Sequence, residues 1–167
     1  MTLHELNKLP TDKLRSELYR CCGSTNWVNR MIPLFPMEDL VELMETAEQQ
    51  WNQCSETDWK EAFANHPAIG DVEALQKKFA ATAQWASDEQ VAVNAAPPTL
   101  IADLAAANAE YEKKFGYIFI VCATGKTAAE MLQILKQRLL NPPGIEIKIA
   151  MDEQNKITLL RLQKLVA

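Results

Sequence analysis

One run in this chain looks like a β-strand, and it has nothing to pair with. Phe115-Gly116-Tyr117-Ile118-Phe119-Ile120-Val121-Cys122 is rich in β-branched and aromatic residues, the local preference of a buried strand. Alternating patterns are scarce elsewhere, and an unpaired buried strand would leave its backbone N–H and C=O groups without partners. The run is therefore predicted to be an extended or irregular buried segment that leads into a helix N-terminus. With no sheet to join, the rest of the core must come from helices. A length of 167 residues suffices for one sizeable core and is short for two ordinary ones. The prediction is an all-α, single-domain multi-helix bundle over residues 1–167.

Helical spacing supports this along most of the chain. Thr2-x-x-Glu5 reads as a capping box for a short first helix, and Pro10-Thr11-Asp12 opens a second carrying Leu14, Leu18 and Cys21. Met37 to Gln53 reads as another, with Leu40, Val41, Met44 and Ala47 along one side. Ser55-Glu56-Thr57-Asp58 starts a helix that buries Trp59, Ala62 and Phe63. Asp71 can cap a helix with Leu75 and Phe79 inward, and Ser87-Asp88-Glu89-Gln90 can open the next. Pro97-Pro98-Thr99 starts a long helix through Leu100, Leu104, Ala107 and Tyr111. Thr127 to Leu140 is amphipathic, with Ala128, Met131, Leu132, Leu135 and Leu139 at core spacing. Asn141-Pro142-Pro143-Gly144 ends it, and a last helix runs from about Ile145 to Lys164.

Charge and composition exclude several functions. Lys and Arg number 17 against 22 Asp and Glu, a net charge of -5 that argues against a nucleic-acid surface. No apolar run is long enough to span a bilayer, and Met1-Thr2-Leu3-His4-Glu5 lacks a basic-then-apolar signal pattern, so no membrane role is expected. The four cysteines, Cys21, Cys22, Cys54 and Cys122, show no C-x-x-C spacing, and the chain has only two histidines, so no metal site is expected. A reducing, cytoplasmic setting is the default expectation.

Four places could carry chemistry. His66-Pro67-Ala68-Ile69-Gly70 sets an imidazole at a helix end, because the residue before a proline is pushed out of the α region. His66 is then either a helix C-cap favoured by the dipole or an aimed general acid/base. Gly125-Lys126-Thr127 suggests a phosphate loop, but the full pattern needs glycine where Ile120 stands. Amides at that helix start can hold an anion, or Thr124 or Thr127 simply caps the helix. Arg161 falls on the apolar side of the last helix with Ile147, Ala150, Gln154, Ile157 and Leu165. A guanidinium there needs an anion, which is either a substrate carboxylate or an internal Asp or Glu. Glu89 and Gln90 are either solvated helix residues or a carboxylate and amide that read the edge of a ureide or purine ring.

Taken in order, His66-Pro67-Ala68-Ile69-Gly70, Ser87-Asp88-Glu89-Gln90, Phe115 through Lys126, and Lys156-Ile157-Thr158-Leu159-Leu160-Arg161-Leu162 closely resemble the 2-oxo-4-hydroxy-4-carboxy-5-ureidoimidazoline (OHCU) decarboxylase family of urate breakdown. The resemblance runs over nearly the whole chain. It implies an all-α homodimer that needs no cofactor and converts the small molecule OHCU to (S)-allantoin and CO2. It further implies that His66 is the catalytic acid/base, assisted by Glu89. Substrate contacts would come from Pro67, from the segment around Gln90, from the backbone of Phe119, Ile120, Val121, Cys122 and Ala123, and from Arg161. Where the family has serine directly after the tryptophan of W-S-x-x-E-Q, this chain has Trp85-Ala86-Ser87-Asp88-Glu89-Gln90. Either Ser87 supplies the hydroxyl from a shifted position or that bond is missing. Two other readings stand beside it: a non-catalytic ureide or purine sensor using the same pocket, and a helical module whose exposed apolar stripe docks a partner helix and which would tolerate changes at His66 and Glu89.

Overall fold

The computed structural model describes residues 1–66 and 97–167, and among them every regular element is helical. In order these are α1 (Leu3–Asn7), α2 (Thr11–Cys21), α3 (Thr25–Met31), a 3-10 turn (Ile32–Leu34), α4 (Leu40–Asn52), α5 (Glu56–Ala64), α6 (Pro98–Phe115), α7 (Ala128–Arg138) and α8 (Pro143–Leu165). The all-α expectation holds for these residues. The helices expected after Asp71 and from Ser87 lie outside them. None of the described helices is long and apolar enough to cross a membrane. The chain forms two compact units, Met1–Ala62 with Gln154–Ala167, and Phe63–Glu153.

In the first unit, short polar residues set the helix starts. The Thr2 hydroxyl accepts from the Glu5 N–H at 3.2 Å while the Glu5 carboxylate accepts from the Thr2 N–H at 2.7 Å, completing the expected capping box of α1. α2 follows Pro10 and turns Leu14, Leu18 and Cys21 inward. α3 starts on Ser24, whose hydroxyl accepts from the Trp27 N–H at 3.3 Å, and buries Trp27, Val28 and Met31.

The inward face of α4 differs from the expected one. Leu43, Ala47 and Trp51 are buried, whereas Leu40 is 39% and Val41 63% exposed. Two tryptophans explain the rotation. The Trp27 indole N–H donates to the Ala47 carbonyl at 3.0 Å and that of Trp59 to the Trp51 carbonyl at 3.3 Å. Bringing large rings and their N–H groups onto the 47/51 side buries more apolar area than Leu40 and Val41 offer, and satisfies both indoles.

From Gln154 onward α8 belongs to this unit and buries Gln154, Asn155, Ile157, Thr158, Arg161, Leu162 and Leu165. The Asn155 amide donates to the Glu48 carboxylate at 3.1 Å. Cys21 and Cys22 are free thiols at 0% exposure. Burial pushes both up to about 12, against a weaker opposing pull from Arg161 on Cys21 and from the Thr158 hydroxyl on Cys22.

These thiols make stability fall on the alkaline side. Unfolded thiols ionise at about 8.5, whereas the folded pair keep their protons to about 12. The unfolded state therefore loses protons first, and the contribution is complete below the unfolded value and is lost as pH rises toward the folded one. Urea unfolding followed across that range is expected to show falling stability, with a shallower slope in a Cys21→Ala, Cys22→Ala variant. Equal slopes would show that the thiols do not contribute.

Candidate active site

The second unit is built around a chain segment with no secondary structure of its own. α6 starts after Pro97 and ends at Gly116, whose φ of +83° is the left-handed cap that turns the chain out of the helix. Tyr117 to Ala123 then runs without helix or strand, and Tyr117 and all of Phe119–Ala123 are buried. This is the irregular buried segment expected from the sequence. Its aromatic residues pack on Tyr111 of α6, which lies 4.6 Å from Phe115, 5.9 Å from Tyr117 and 5.5 Å from Phe119 between ring centroids.

Side chains supply the hydrogen bonds that a neighbouring strand would have given. Arg138 of α7 donates from Nη1 to the Ile120 carbonyl at 2.6 Å. Glu153 of α8 accepts from the Cys122 N–H at 2.7 Å, and Lys126 donates to the Cys122 carbonyl at 2.8 Å. Arg138 is itself fixed: its Nε and Nη2 lie 2.7 and 2.6 Å from Oε1 of Glu146, and its guanidinium stacks 4.6 Å from the Phe119 centroid. Glu146, 0% exposed, also accepts from the Tyr111 hydroxyl at 2.5 Å and from the Asn141 amide at 2.9 Å. Burial raises the Tyr111 phenol far above its ordinary range, and the bond to Glu146 adds to the rise. It therefore stays a neutral donor.

His66 sits at the edge of this unit. Ser55 and Asp58 cap α5 reciprocally: the Asp58 carboxylate accepts from the Ser55 N–H at 2.9 Å, and the Ser55 hydroxyl accepts from the Asp58 N–H at 3.4 Å. Trp59, Ala62 and Phe63 are buried as expected. The helix ends at Ala64, and the His66 N–H closes a turn onto the Phe63 carbonyl at 3.1 Å. The Phe63 ring packs 5.1 Å from Tyr117, so the half-buried His66 stands three residues from the contact that opens the buried segment. Pro67, Ser87, Glu89 and Gln90 lie outside the described residues. Arg161 belongs to the first unit, 5% exposed, with Nη1 at 3.5 Å from the Arg20 carbonyl. Its companions Ile147, Ala150, Gln154, Ile157 and Leu165 are buried as the spacing predicted.

At Gly125-Lys126-Thr127 the capping alternative is the one realised. Thr127 is the cap, accepting from the Glu130 N–H at 3.1 Å while the Glu130 carboxylate accepts from the Thr127 N–H at 3.0 Å. Those amides are occupied by the chain's own carboxylate and hydroxyl. Among the described residues no cluster of His, Cys, Asp and Glu is placed to hold a metal ion.

A model of the OHCU decarboxylase family matches residues 7–163. The chain belongs to the OHCU decarboxylase family. It is 41% identical over 146 residues to the uric acid degradation bifunctional protein TTL of Arabidopsis thaliana, covering 87% of this chain and 45% of that protein. It is 27% identical over 179 residues to the uric acid degradation bifunctional protein of Bacillus sp. (strain TB-90), covering 99% and 32%. The chain thus spans less than half the length of either relative. A crystal structure of an OHCU decarboxylase in the presence of (S)-allantoin superimposes with a TM-score of 0.75 at 40% identity, covering 90% of this chain and 96% of that one.

Seen as an OHCU decarboxylase fold, the chain carries three residues that the sequence reading passed over: Arg138, Glu146 and Glu153. Arg138 had a signal. It follows Met131 and Leu135 at i+7 and i+3 on the apolar stripe of α7, the same pattern that singled out Arg161. Glu146 and Glu153 had none, because a carboxylate near a helix start or on a helix flank is usually solvated.

The network makes a stability prediction. Arg138→Met leaves Glu146 buried with its counter-charge gone, which is expected to cost about 3–5 kcal/mol. Replacing both, as Arg138→Met with Glu146→Leu, should recover part of that loss. Urea denaturation of the two variants checks it, and a single variant as stable as the wild type would show that the pair is not holding the unit together.

Proposed function

We propose that residues 1–167 act as one OHCU decarboxylase domain that converts OHCU to (S)-allantoin and CO2, as a homodimer and without a cofactor. One observation carries the reading. The Phe119–Ala123 segment is buried, and among the described residues the N–H and C=O of Val121 in its middle have no hydrogen-bond partner. Buried peptide groups are almost always paired. A donor and an acceptor left over in this buried segment suit a ligand that is itself a chain of amides, as a ureide is. Family membership supplies the reaction, and the segment supplies a place for the substrate.

The chemistry asks for what these residues offer. When the carboxylate leaves as CO2, the electron pair of the broken C–C bond passes into the ring C=N, so the substrate is its own electron sink. The ring nitrogen that receives the pair takes up a proton; a second proton added to the ureide-bearing carbon from one face, with one lost from the hydroxyl, then gives allantoin. The protein has to orient the carboxylate across the conjugated ring, stabilise the enolate-like intermediate and protonate one face. In this reading His66 moves the protons, aided by Glu89. Pro67, Ser87, Gln90, the Phe119–Ala123 backbone and Arg161 hold the substrate.

His66→Asn is expected to fold with an unchanged melting temperature and to lose about 10²- to 10⁴-fold in rate, the usual value of general acid/base catalysis. Because free OHCU also decays to racemic allantoin, the rate of (S)-enantiomer excess is the measurement. Normal turnover in that variant would make His66 a structural turn residue.

Arg161→Lys keeps the charge and loses the planar two-point contact. As a substrate ligand it is expected to lose about 1.5–3 kcal/mol of transition-state binding at unchanged melting temperature. Lower melting temperature with normal activity per folded molecule would instead make Arg161 a packing residue.

A further inference from the structure

A trans peptide is planar, so the C=O of one residue and the N–H of the next point in opposite directions from the same rigid plate. Holding either group aims the other. The two plates that flank Val121 are each held at one end. Arg138 grips the Ile120 carbonyl at 2.6 Å, in the plate that carries the Val121 N–H, and Glu153 grips the Cys122 N–H at 2.7 Å, in the plate that carries the Val121 C=O. The Val121 N–H and C=O, which have no hydrogen-bond partner among the described residues, are thus the far ends of two anchored plates. Arg138 is in turn locked by Glu146 and Phe119, whereas Glu153 reaches in from α8 and is only partly buried.

We propose that Glu153 is a positioning residue for OHCU decarboxylation: by holding the Cys122 N–H it aims the Val121 carbonyl at an N–H of the ureide or ring of the substrate. This rests on the decarboxylase reading above. Charge-assisted bonds from a carboxylate to a peptide N–H are strong enough to fix a plate's orientation. Small losses of alignment in a site are costly in rate. Glu153 does not touch the substrate in this scheme. Its removal acts through the Val121 carbonyl.

The test compares wild type, Glu153→Ala and Glu153→Gln in three measurements: OHCU turnover read as (S)-allantoin excess, melting temperature, and the NMR cross-peak that links the Cys122 N–H to the Val121 carbonyl, with (S)-allantoin as the added probe. In the wild type, (S)-allantoin is expected to shift the Val121 carbonyl more than the Cys122 N–H. Glu153→Ala should lower kcat/KM by about tenfold or more at unchanged melting temperature and abolish the carbonyl response. Glu153→Gln, which keeps an acceptor oxygen, should regain most of both. Full activity in Glu153→Ala, a loss that only follows the folded fraction, or a Val121 carbonyl that ignores (S)-allantoin in an active wild type would each overturn this assignment alone. A wild type that does not turn over OHCU would overturn the decarboxylase reading, and this assignment with it.

Discussion

The ion pair between Arg138 and Glu146 is the interaction on which the unit spanning residues 63–153 depends. Burying two charges costs several kcal/mol each, and their mutual attraction offsets this only when the remaining donors and acceptors are satisfied. Here they are satisfied by parts of the structure that need fixing. Glu146 gathers Arg138, Tyr111 and Asn141, and Arg138 spends another N–H on the Ile120 carbonyl. One buried pair thereby ties α6, α7 and the start of α8 to a stretch of chain that has no sheet to belong to. An apolar pair of similar size would pack there, but it would leave the Ile120 carbonyl without a donor.

Much of the fold was legible because its punctuation is local. Thr2, Ser55, Pro97 and the Asn141-Pro142-Pro143-Gly144 turn mark helix ends through bonds or dihedral limits that involve only near neighbours. α8 starts at Pro143, two residues before the expected Ile145, because proline suits the first turn of a helix. What was not legible depends on distant partners. α3 is 7 residues long, too short to show a periodic stripe, and owes its place to Trp27 packing on α4. The buried face of α4 was misjudged for the same reason, since two indole N–H groups from elsewhere chose its carbonyls.

The site divides along the same line. The turn at His66 was legible through Pro67 and the burial of Arg161 through its apolar neighbours, both local signals. That Phe115 to Cys122 is buried without a strand also followed, from the lack of any partner run. How its peptide groups are satisfied did not, because Arg138, Glu146 and Glu153 each serve a segment far from them in the chain. Lys126 shows how misleading proximity can be. In a triplet that suggests phosphate binding, its ammonium is spent on the Cys122 carbonyl.

Holding a segment by its peptide groups changes where a lineage must stay constant. Ile120 and Cys122 meet their anchors through peptide atoms, a carbonyl and an N–H, so the side chains of this stretch need only be apolar and fit the space. The identities that cannot drift are those of the anchors: a planar fork at 138, a carboxylate at 146 and a side-chain acceptor oxygen at 153. Divergence within such a fold would therefore be expected to blur the very stretch proposed to line the site while preserving charged residues farther along the chain. Proline at 122 would be the one small, apolar substitution in that stretch to remove an anchor bond outright, since it has no N–H to give.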